Sequence, residues 1–220
     1  MSTSTITLRG TEVSHRAAGS SLRSVARIAG VLYLVIFAAG IFAEYMVRSE
    51  LIVAGDAVAT AENIIESEAL FRLGIAGDLA MVLSDVALAL VFYLLLRPVS
   101  RSLALLASLF RLAQAVVLGI NLLNLFVALE LVRGADYLTL LGAGQSDSMA
   151  MVFLNAHATG YRLGLVFFGI SIAVLGYLMI KADYFPTILG IGMIVASLGY
   201  LTDSFANFLL INYVDYEAFF

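Results

Sequence analysis

Four ionisable side chains stand well inside apolar sequence: Arg72, Asp78 and Asp85 in one run, Arg111 in the next. Charge in hydrocarbon is costly, by about 2.5–3.5 kcal/mol per residue on insertion scales, and is kept where it pairs or serves a site. Such groups bind a solute or ion, relay protons, or clasp one helix to another. Counting outward from Val99, Asp85 falls opposite Arg111 and Gln114, and Asp78 opposite Asn121. Asp78 and Asp85 are seven residues apart and share a helix face, as do Gln114, Asn121 and Asn124. Pairing Asp85 with Arg111 is the least costly arrangement at that depth.

A second set lies further along. Arg162 reaches a depth similar to that of Asp203 when the chain is folded about Asp183. Tyr200, Asp203 and Asn207 share a helix face. Gly160 and Gly164 allow close helix contact. The candidate ligand-binding residues are therefore Asp78, Asp85, Arg111, Gln114, Asn121, Asn124, Arg162, Asp203 and Asn207. Together they predict a polar pocket open to the outside and floored by the Asp85–Arg111 pair. The plainer reading of each Asn and Ser is an interhelical hydrogen bond, averaging about 0.6 kcal/mol.

The elements that position these groups are membrane helices. The chain of 220 residues is 62% hydrophobic and only 13% charged, which excludes an ordinary soluble domain. Five apolar runs are long enough to cross a bilayer, which takes about 20 residues: 28–46, 69–96, 102–131, 160–180 and 187–210. The fold class is all-α, a polytopic bundle of five membrane helices with one or two short external interfacial helices. Residues 1–25 read as a polar cytoplasmic tail, 26–210 as a single transmembrane domain and 211–220 as a short external tail. Ala38 and Gly40 resemble a signal-peptidase site, but apolar sequence continues to Met46, so a retained helix is preferred.

Asp56 after Gly55 reads as the N-cap of a surface helix whose stripe is Val58, Ala61, Ile64 and Ile65. Ser148–Ala158 reads as a second such helix, after a loop over 133–147. Arginines and the one lysine concentrate in the N-terminal tail and in the turns at Arg97–Arg101 and Lys181, while the intervening loops are mainly acidic. That alternation predicts a cell-membrane protein with its N-terminus cytoplasmic and its C-terminus external.

Composition removes several chemistries. There is no cysteine, and the histidines are His15 and His157 alone. Thiolate sites, bis-histidine haem and three-histidine zinc are excluded, and no cofactor is expected. A net charge of −4 argues against nucleic acid as a partner. The expected partners are membrane lipid, a small polar ligand or ion, and a second copy or another membrane protein. An enzyme ranks last, because Ser84, Asp85 and His157 come with no nucleophile elbow or metal spacing. The alternative to a binding or transport protein is a non-catalytic accessory or sensory subunit whose charged pairs are structural.

Phe71-Arg72-Leu73-Gly74 recurs as Tyr161-Arg162-Leu163-Gly164, each opening a helix that runs to a proline-containing turn. This suggests a duplicated helix hairpin, a device of transporters. Phe42-Ala43-Glu44, Gly55-Asp56, Ser67-Glu68-Ala69-Leu70-Phe71-Arg72, Phe110-Arg111-Leu112 and Asp203-Ser204-Phe205-Ala206-Asn207-Phe208 form a distinctive set. In these the chain resembles the bacterial integral membrane family known as domain of unknown function 4386 (DUF4386), over about Arg27 to Asn212. The resemblance implies a multi-pass membrane protein and brings no established activity, substrate or catalytic residue.

Overall fold

The computed structural model describes residues 24–134 and 143–210, all helix and short connections. Six helices follow one another: α1 (Ser24–Leu51), α2 (Ala57–Glu66), α3 (Glu68–Leu96), α4 (Arg101–Arg133), α5 (Ala143–Lys181) and α6 (Thr187–Leu209). All but α2 are long and apolar enough to span a membrane. The terminal tails lie outside the described residues, as does most of the loop expected over 133–147.

The connections are written in local chemistry. Gly55 takes φ +80, the left-handed conformation that lets the chain turn before α2. Asp56 then caps α2 by accepting from the Ala59 N–H at 2.9 Å. Ser100 caps α4, and Gly134 closes it at φ 64. Pro98 lies in the turn before α4, and Pro186 immediately precedes α6.

α4 and α5 form the centre. α3 and α5 pack on α4, α6 packs on α5, and α2 lies across α5 and α4. α1 meets α3 through Tyr33 against Phe92, through Gly40 beside Met81, and through residues 42–48. At one end a core of Val47, Ile64, Phe71, Leu125, Leu129 and Leu154 joins α1 to α5. At the other, Leu88, Leu95, Ala104, Ala107, Leu175 and Leu178 pack together. α1 and α6 bury little of their length and turn large apolar side chains outward, among them Leu34 and Phe37 on α1 and Ile188 and Val195 on α6. In a bilayer those faces contact lipid, so their exposure carries no hydrophobic penalty.

Close approach between helices rests on glycine. A Cβ at Gly176 would come within 2.7 Å of the Gly190 carbonyl oxygen, so α5 and α6 touch backbone to backbone. Ser197 reinforces the contact by donating to the Gly169 carbonyl at 2.8 Å. Gly160 and Gly164 do make the close contact expected of them. They face α4: a Cβ on either would collide with Asn121 or Leu118.

Two element boundaries differ from the sequence reading. Ser148–Ala158 is no separate interfacial helix; it is the first part of α5, which runs unbroken for 39 residues. Gly160 does not break the helix, because the residue is there to admit Asn121. At 1.5 Å per residue α5 is about 58 Å long, nearly twice a ~30 Å hydrocarbon core. The first span also runs on past Met46 to Leu51. Arg48 lies in that extension buried and ion-paired, so its charge does not end the helix.

Candidate functional site

The buried charged, amide and imidazole side chains form two layers with apolar side chains between them. The layer nearer the α3–α4 turn, here the inner one, is built by α3, α4, α1 and α5. Arg111 Nη2 donates to Asp85 Oδ1 at 2.6 Å, with both side chains almost fully buried. Gln114 Nε2 donates to the other carboxylate oxygen at 3.0 Å. Tyr33 on α1 accepts from Arg111 Nη1 at 3.4 Å. The guanidinium carbon lies 5.3, 5.7 and 5.2 Å from the ring centroids of Tyr33, Phe92 and Phe168. Three ring faces thus replace part of the cation's lost hydration. Arg111 Nε and Gln114 Oε1 are buried with no hydrogen-bond partner among the described residues.

The outer layer begins on α1. Residues Phe42–Arg48 form a π-helix, a wider coil with i→i+5 bonding. Its last turn closes where the Ser49 N–H and Oγ both donate to the Glu44 carbonyl. Arg48 Nε donates to Glu44 Oε2 at 2.8 Å, while Nη1 donates to Asp78 Oδ2 on α3 at 2.5 Å. Arg48 and Asp78 are buried; Glu44 is largely exposed. On the far side, Asn121 of α4 donates through Nδ2 to the His157 carbonyl at 2.8 Å and lies 3.1 Å from His157 Nδ1. Asn124 donates to Asn121 Oδ1 at 2.9 Å.

Next to this layer is a cavity of about 420 Å³. The end of α1 contributes Glu44, Arg48 and Ser49; α4 contributes Leu125; α5 contributes Leu154, His157, Ala158, Tyr161, Arg162 and Leu165; α6 contributes Asp203. His157 and Tyr161 also wall a crevice of about 10 Å³ that reaches Asp78 and Asn121.

The nine candidate residues therefore divide. Arg162 and Asp203 line the main cavity. Asp78 and Asn121 line the crevice beneath it, and Asn124 braces Asn121. Asp85, Arg111 and Gln114 meet one another but not the cavity. The floor assigned to Asp85 and Arg111 is corrected accordingly. Met81, Val82, Ala115 and Leu118 pack between the two layers, one helical turn from each. Asn207 is half-buried on α6 and lines neither space. Arg72, which stands inside apolar sequence, is nonetheless exposed and bonded to Glu68 at 2.7 Å.

Sequence reasoning missed Glu44, Arg48, His157 and Tyr161 in the outer layer, and Tyr33 in the inner one. The signals were present. Glu44 and Arg48 are a four-residue ion-pair spacing, and Leu154, His157, Tyr161 and Leu165 repeat on one helix face.

The family model described as domain of unknown function (DUF4386) matches residues 28–219. An uncharacterized protein of Archaeoglobus fulgidus is 31% identical over 134 residues, which is 61% of this chain and 67% of that protein. No solved structure matches. With a match over most of its length, the chain belongs to the DUF4386 family of unknown function.

Proposed function

We propose that the protein binds or transports a small polar solute or ion through the cavity between α1, α4, α5 and α6. One observation carries this reading. A space of about 420 Å³, within the usual range for small-molecule sites, is walled by apolar side chains and a few convergent polar ones. In the proposed arrangement the cavity opens to the outside of the cell membrane, with the N-terminus cytoplasmic and the C-terminus external. Membrane lipid covers α1 and α6, where a second copy or another membrane protein has room to pack. The accessory-subunit reading draws its support from the inner layer, where Asp85, Arg111 and Gln114 satisfy one another away from the cavity.

Because the sequence contains no cysteine, single-cysteine variants test the proposal directly. Ala158→Cys on the cavity wall is expected to react with an external membrane-impermeant maleimide, and to be protected by any solute that raises the melting temperature of the purified protein. A solute screen without a single saturable shift, together with an unreactive Ala158→Cys variant, would remove the support for this reading.

A further inference from the structure

The charge around the cavity narrows the ligand class. Arg48 is the one guanidinium shared by Glu44 and Asp78, at 2.8 and 2.5 Å. That trio keeps one negative charge in excess. Arg162 and Asp203, the other charged wall residues, balance each other in sign. Asp78 spends both its oxygens on Arg48, at 2.5 and 3.4 Å, and is 2% exposed. Glu44 bonds Arg48 through Oε2 and is 56% exposed, so the excess charge is presented to the cavity by Glu44. A cationic ligand is the simplest way to neutralise it.

The remaining walls say what kind of cation. Among the described residues no three or more of His, Cys, Asp and Glu converge as a metal site, whereas a hard cation takes six or more oxygen ligands. The space is instead large and mainly apolar, with Leu125, Leu154, Tyr161 and Leu165 among its walls. Resting on the solute-binding reading above, we infer that the cavity takes a small organic monocation of the alkylammonium class, its ammonium beside Glu44 and its alkyl part against Tyr161 and the leucines.

The test is calorimetric titration of the purified full chain with butylammonium and tetramethylammonium chloride. Sodium butyrate and butanol serve as anionic and neutral counterparts, at matched ionic strength. Saturable binding of an ammonium salt is expected, weakened about tenfold by Glu44→Gln. Ala158→Phe, which fills the cavity from an exposed position, is expected to abolish it, and covers the case that Glu44→Gln loosens α1. Butyrate or butanol binding as well as the ammonium salts, and blocked by Ala158→Phe, would overturn the charge class while leaving the cavity reading intact. Ammonium binding unchanged in both variants would place it elsewhere and overturn the inference. The absence of saturable ammonium binding would overturn it equally.

Discussion

Arg48 donates to Asp78 at 2.5 Å across 30 residues of chain, and this pair ties the end of α1 to α3. Most of that helix faces outward, and its other anchors include Val47 in the core and Tyr33 against Phe92. The pair also fixes Glu44 at the cavity edge, because Arg48 bridges both carboxylates. The polar anchor of the α1 end and the placement of Glu44 therefore depend on the same guanidinium.

Asp78→Asn is expected to lower stability by about 3–5 kcal/mol, the usual range when one partner of a buried ion pair is removed. Arg48→Gln, which strands Asp78, is expected to cost a similar amount. Proteolysis or hydrogen exchange in residues 42–51 should rise in both variants before the α4–α5 core is affected. A melting temperature and exchange pattern unchanged from wild type would contradict this.

At Gly160, any side chain meets Asn121. Overpacking of this kind typically costs about 1–3 kcal/mol. Gly160→Val is expected to fall in or above that range and to disturb the Asn121–His157 contacts. Gly192, whose Cβ would meet nothing within 4 Å, is the control: Gly192→Ala should leave the melting temperature unchanged or slightly raised.

Topology has its own check. Ser100→Cys lies in the turn before α4 and Gln145→Cys on an exposed turn at the start of α5. In intact cells the Gln145→Cys variant is expected to react with an impermeant maleimide and Ser100→Cys only after permeabilisation. The reverse pattern would invert the orientation.

Tyr184 in the turn between α5 and α6 donates to the Leu95 carbonyl at 2.5 Å. Partial desolvation raises its pKa above the ordinary phenol value. A pKa raised on folding stabilises the protein below the unfolded value, near pH 10, and that contribution is lost as pH climbs through the folded value. Tyr184→Phe is expected to cost about 0.5–1.5 kcal/mol at neutral pH. Its deficit relative to wild type should shrink in alkali. A deficit that does not change with pH would show that the hydroxyl is not the source.

The spans were legible because apolar run length decides them. The Asp85–Arg111 pairing was equally legible, since a hairpin with a five-residue turn fixes which residues share a depth. What the sequence hid lay between helices distant in the chain. Arg48 reads as loop until Asp78 is known to neutralise it, and nothing local announces that partner. His157 was weighed as a metal ligand and set aside, whereas its role on the cavity wall depends on Gly160 bringing α5 against Asn121. The apolar layer of Met81, Val82, Ala115 and Leu118 was overlooked for the opposite reason: in an apolar sequence, four more apolar residues carry no signal.

Asp85 and Arg111 supply the last prediction. With Gln114 and three aromatic rings, they form a cluster closed off from the cavity. If the cluster is structural, its removal should affect stability and leave the cavity's affinity unchanged. Asp85→Asn leaves Arg111 as an uncompensated buried cation, and Arg111→Gln leaves Asp85 as an uncompensated anion. Each is expected to cost about 3–5 kcal/mol. The double variant places two amides face to face, where they hydrogen-bond, so it should recover much of that loss. A coupling energy well above the ~0.5 kcal/mol scatter of independent sites is the expected result of the cycle. Tyr33→Phe, which removes only the hydroxyl that accepts from Arg111, should cost less than either. Additive single effects would show that the two residues do not act as a pair. A double variant that regains stability but loses solute binding would instead assign the cluster to the transport path. The apolar layer above it would then be a gate that opens, with Met81 and Leu118 the side chains that must move.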